Sequence, residues 1–177
     1  MEGEKEMGMS RYVCVAGLAV ALVACGSEKE APPAAAEEAS LAPGLYELTA
    51  EVVQLASTDK TTPATKLKQG ETQVIRARVA ADGVPAPELL AEEGDKCEIK
   101  NSYIRYGRMS AQMSCTREGM SGHVMPAMMG KFTADSFDGE ITTMTYFIKE
   151  GDYRLTRKIS AKRVGDCPAE GAPEAKS

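Results

Sequence analysis

Tryptophan is absent from this 177-residue chain, histidine occurs once, and phenylalanine only three times. With His123 as its sole imidazole, the chain cannot build a multi-histidine centre, and no zinc, phosphate-loop or nucleophile-elbow spacing occurs. A catalytic triad would lack a specific base, so no enzyme, cofactor or metal site is expected. Cations form no basic stripe and are not interleaved with aromatics, which argues against a nucleic-acid partner. Nor is there an apolar run of the ~20 residues that a membrane-spanning helix needs.

The longest charge-free apolar run, Tyr12 to Ala24, is of the length of a secretory signal core. It ends in Leu22-Val23-Ala24-Cys25, which resembles a bacterial lipobox, and "GSEKE" follows at once. This predicts a signal peptide over residues 1–24, cleavage before Cys25, and lipid (diacylglycerol, palmitate) on its sulfur. Glu2, Glu4 and Glu6 are the wrong sign for the start of a signal, whereas a start at Met9 would leave Arg11 in the expected place. Residues 25–43 are rich in Ala, Pro and Glu and carry no aromatic, so they are expected to be a disordered tether. Residues 168–177 read as a disordered tail. From Gly44 to Cys167 there are 17 acidic and 17 basic residues, so the net charge of −5 resides outside the folded part.

Residues 44–167 are patterned as strands. Tyr46, Leu48, Ala50 and Val52 alternate with polar residues, as do Ile75, Ala77 and Val79, and Met109, Ala111, Met113 and Cys115. Turn residues in "RYGR", "ADSFDG" and "KEGD" join successive runs. The prediction is all-β: one antiparallel meander of about seven strands in a curved sheet or partly open barrel. One short connecting helix is expected in "PAPELLAEEG", with Pro87 in its first turn and Gly94 past its end. Pro126, in "GHVMPAMMGKF", should mark an edge, a bulge or a strand break.

Cys14 leaves with the signal and Cys25 is lipidated, so Cys97, Cys115 and Cys167 remain. Reflecting the "RYGR" hairpin about Tyr106 gives a three-residue loop and sets Tyr103 against Met109, Ile99 against Met113, and Cys97 against Cys115. Opposed residues of an antiparallel pair lie within disulfide range, and an exported compartment is oxidising. A Cys97–Cys115 disulfide is therefore expected, with Cys167 a free thiol.

The short "GLYEL" first strand, the "KCEI…MSC" hairpin, the Thr/Met-rich strands and the terminal "GDCP" together resemble the family called domain of unknown function 3617. Its members are small exported proteins of Gram-negative bacteria. The resemblance implies an extra cysteine in the strand corresponding to "TQVIRARV", where this chain has Ala77 or Arg78, and so a terminal Cys167 without its partner. It implies no activity.

His123 lies near Met125, Met128 and Met129, donors that suit Cu(I), but alternating methionines are more simply core filler. Asp135, Asp138 and Glu140 lack calcium-loop spacing and suit a turn. The expectation is a non-enzymatic lipoprotein, anchored to a bacterial membrane and facing the periplasm, that binds an envelope partner. The alternatives are a carrier of a small apolar ligand in the curved sheet, and a Met/His Cu(I) binder. A filled or hollow concave face separates the first two.

Overall fold

A computed structural model describes residues 40–166. The expected signal peptide, Cys25, most of the expected tether, Cys167 and the tail lie outside them.

Seven strands follow in chain order: β1 (Gly44–Ser57), β2 (Thr72–Val79), β3 (Asp95–Arg105), β4 (Arg108–Arg117), β5 (Gly122–Phe132), β6 (Ser136–Phe147) and β7 (Tyr153–Gly165). One four-residue helix, α1 (Pro87–Leu90), lies between β2 and β3. All pairings are antiparallel, in the order β2-β1-β7-β6-β5-β4-β3, and the sheet curls into a half-barrel. The meander is thus closed on itself in sequence: β7 returns to pair with β1, and the consecutive strands β2 and β3 become the two edges. The β2–β3 connection has to cross from one edge to the other, and α1 lies in that crossing.

Period-two patterning decides which face is inside. Tyr46, Leu48, Ala50 and Val52 are at most 1% exposed, and Met109, Ala111, Met113 and Cys115 are buried with them. Phe137 and Ile141 of β6, Ile159 and Ala161 of β7, and Leu89 and Leu90 of α1 complete the same core. Leu41, placed by composition in the tether, is 1% exposed within this core. Ala42 donates its N–H to the Ala134 carbonyl, so the folded part takes in residues before Gly44.

Pro126 neither ends its strand nor lies at an edge. β5 runs unbroken between β4 and β6, and Pro126 pairs with Thr143 of β6. On the β4 side the pairing is interrupted between Gln112/Ala127 and Cys115/Val124, around the position where proline has no N–H to give. The helix is shorter than the sequence suggests. Ala91 is extended (φ −75°, ψ 170°), and the next residue, Glu92, is drawn into a buried polar cluster.

Candidate functional site

The seam between the two sheet edges gathers charged groups that sequence reading did not single out. Arg117, the last residue of β4, donates Nε to Asp95 Oδ1 at 2.6 Å and Nη2 to Oδ2 at 2.9 Å. Its Nη1 donates to the Ala64 carbonyl at 2.5 Å, tying the β1–β2 loop to the hairpin. Glu92, just past the helix, accepts from Tyr153 Oη and Thr65 Oγ1, each at 2.7 Å, and lies 3.4 Å from Arg117. The guanidinium of Arg117 also lies 5.9 Å from the Phe147 ring centre and 5.8 Å from that of Tyr153.

Burial and charge set the protonation of this cluster. Burial by itself would lower Arg117, but the Asp95 hydrogen bonds and the Glu92 charge outweigh it and raise its pKa. Tyr153 is raised, first by burial and then by the neighbouring Glu92 carboxylate. Arg117 is thereby held in its charged form and Tyr153 in its neutral one. Arg117, bonded at once to Asp95 and to the Ala64 carbonyl, is a latch between the β3–β4 hairpin and the β1–β2 loop.

Arg157 extends the latch inward. It is fully buried on β7, and its two Nη groups donate to the Ala91 carbonyl at 3.1 Å and to the Leu90 carbonyl. It thereby satisfies the C-terminal carbonyls of α1. Its Nε and the Thr143 hydroxyl have no partner, and burial lowers the Arg157 pKa. Two clefts flank the seam, of about 310 Å³ along Pro63–Leu67, Gln73 and Glu92, and of about 370 Å³ along Gln73–Ile75 and Glu88. Both open to solvent.

The Cu(I) candidates are split by the sheet. Met128 is inside at 1% exposure, whereas Met125 and Met129 are outside at 48% and 72%. Reading Met125 and Met129 as core filler is therefore corrected: their parity along β5 is opposite to that of Val124 and Met128. His123 shares the outer face with them. Across the ladder, Met125 faces Met144 and His123 faces Tyr146. Asp135 lies in the β5–β6 turn and Asp138 opposite Lys131, and among the described residues no group of three His, Cys, Asp or Glu side chains could hold a metal ion.

Cys97 and Cys115 are directly opposed, with Cα atoms 4.0 Å apart and their sulfurs bonded. The route to this register differs from the mirror reading. The turn has two residues, Tyr106 and Gly107, both at positive φ (54° and 69°), so Ile104 rather than Tyr103 faces Met109. A register shift between Ile99 and Asn101 leaves Lys100 unpaired and restores Ile99 opposite Met113, and with it Cys97 opposite Cys115.

The family profile described as protein of unknown function (DUF3617) matches residues 41–167. The chain belongs to that family. Comparison with curated proteins and with solved structures yields no match. The match begins at Leu41, the first buried residue among those described in this DUF3617 core. Its end, Cys167, falls two residues past Gly165, which pairs with Leu45, and Leu45 pairs in turn with Arg78. In the DUF3617 fold the end of β7 and the Arg78 end of β2 are thus two strands apart, on either side of β1.

Proposed function

We propose that this DUF3617 protein is a lipid-anchored component of the Gram-negative cell envelope that faces the periplasm and acts by binding or bracing rather than by catalysis. One observation carries the second half of this reading. The concave face of the sheet is filled by the chain's own side chains, from Leu41 and Tyr46 to Met128 and Ile159, with Leu89 and Leu90 as a plug. A carrier needs space for its cargo, and here residues of the protein take up that space. At the seam, Glu92, Asp95, Arg117 and Tyr153 are engaged in mutual ion pairs and hydrogen bonds, which supports a bracing role for them. What remains for a partner is the outer surface, where Tyr103, Met125, Met129 and Tyr146 are each about half exposed or more.

The anchor rests on the sequence around Cys25. It is tested by metabolic labelling with a clickable fatty acid in a Gram-negative host. Wild-type protein should take up label and stay with membranes through a high-salt wash, and Cys25→Ser protein should do neither. Equal labelling of both would refute the anchor. Mass spectrometry of the detergent-extracted protein tests the binding role, since a stoichiometric apolar ligand would restore the carrier reading.

A further inference from the structure

The β3–β4 hairpin ends in an arrangement that folding alone does not favour. Arg105 faces Arg108, and Arg108 faces Lys131 of β5, so three cations stand side by side on adjacent strands. Like charges directly opposed across strands are destabilising. Among the described residues, none of the three makes an ion pair or a side-chain hydrogen bond, and from Ile99 to Arg117 there is no carboxylate in the sequence. The nearest acid in the row is Asp138, opposite Lys131 on the far side.

The turn itself is a second anomaly. Tyr106 holds φ 54°, a conformation that Asn or Gly adopts readily and a tyrosine does not, and it projects 62% exposed. One row behind the cations, Tyr103 (49% exposed) and Met129 (72% exposed) flank the small Ser110, their common neighbour on β4. They line an open groove of about 400 Å³ with Arg108 and Lys131 at its rim. An apolar floor, cations at the rim and an amphipathic aromatic at the tip match the layered chemistry of a bilayer surface, with acyl chains beneath phosphates.

The end of the sheet at which this lies bears on the occupant. Phe132 donates its N–H to the Gly107 carbonyl, and Ala42 donates to Ala134 in the adjoining β5–β6 turn. The hairpin tip and the start of the described chain, Ser40 to Ala42, are therefore at the same end. We propose that Tyr106, the Arg105–Arg108–Lys131 row and the Tyr103/Met129 groove form a docking surface for the anionic phospholipid bilayer that holds the anchor. This rests on the anchor reading for its geometry, but its test is separate.

The chain contains no tryptophan, so Tyr106→Trp creates a single fluorescent reporter. The full lipidated protein is reconstituted in vesicles with phosphatidylglycerol or in vesicles of phosphatidylcholine alone, each with and without brominated acyl chains. At low salt, emission from position 106 should shift to the blue and be quenched at least twofold by brominated phosphatidylglycerol vesicles. The effect should be lost in phosphatidylcholine, in high salt, and when Arg105, Arg108 and Lys131 are all changed to Gln. Met129→Trp should report the same if substitution at the turn disturbs folding. Ile148→Trp, in the β6–β7 connection at the far end of a strand about 40 Å long, should remain unquenched. Equal quenching at 106 and 148, or no dependence on anionic lipid, would overturn the proposal. Flotation of the Cys25→Ser chain on phosphatidylcholine vesicles in high salt, where the docking surface contributes nothing, tests the anchor separately: if that chain floats as wild type does, the anchor reading fails whatever the reporter shows.

Discussion

Asp95 and Arg117 face each other as the outermost pair of the β3–β4 hairpin, and the guanidinium holds both oxygens of a carboxylate that has no solvent exposure. A pair of this kind is weak evidence of net stabilisation, but breaking it strands a buried charge. Asp95→Asn is expected to lower unfolding free energy by about 3 kcal/mol, the low end for such pairs because Arg117 keeps 13% exposure. It should also free the β1–β2 loop that Arg117 holds through Ala64. Denaturant unfolding would measure the first effect and amide exchange in residues 61–68 the second. A loss below about 1 kcal/mol would show that the latch is dispensable.

Acid should loosen the neighbouring contact between the β1–β2 loop and the β6–β7 connection. Asp59 accepts from the Thr61 hydroxyl at 2.7 Å, from the Thr61 N–H at 2.9 Å, and from the Gly151 and Asp152 N–H groups at 2.8 and 3.0 Å. These bonds, those from Thr61 foremost, hold its carboxyl well below the usual carboxylate range. A carboxylate lowered in the folded state stabilises above its unfolded pKa of about 3.9, and that contribution is lost as pH falls toward the folded value. Wild-type stability should therefore decline more steeply below about pH 4 than that of Asp59→Asn. Parallel acid limbs in the two thermal-melt series would contradict this.

The cross-strand cysteines make a quantitative test. Closing the chain over a separation of 18 residues removes loop entropy worth about 3 kcal/mol from the unfolded state. Cys97→Ser/Cys115→Ser should be less stable than oxidised wild type by about that amount. Non-reducing peptide mapping should recover Cys97 linked to Cys115 and Cys167 as a free thiol. A Cys167 bridge to either would overturn the pairing.

Tyr106 offers the opposite sign. Relief of its left-handed backbone in Tyr106→Asn should raise stability by about 1 kcal/mol, because a two-residue hairpin turn with both residues at positive φ favours Asn-Gly. If chemical denaturation shows no gain, the turn is not strained and one motive for a bilayer contact at the tip is lost.

The sequence alone was enough to identify an all-β meander and the inward residues of β1 and β4, since period-two alternation and turn residues are local signals that need no partner strand. Cys97, by contrast, meets Cys115 only because a bulge at Lys100 offsets a turn one residue shorter than the mirror reading. Tyr46, Leu48, Ala50 and Val52 declare their face whichever strand they pair with. Strand position within the sheet is different, because it depends on contacts distant along the chain. Nothing local in "GHVMPAMM" tells that Pro126 occupies an interior strand, or that Met125 and Met129 face solvent while Met128 does not. The return of β7 to β1 decides that β2 and β3 become edges. That in turn forces α1 across the opening and brings Glu92, Asp95, Arg117, Tyr153 and Arg157 together from four separate segments. Such a latch has no spacing motif, since its members meet only when the sheet curls. The same holds at the hairpin end, where Arg108 and Lys131 are 23 positions apart in sequence yet adjacent in the ladder.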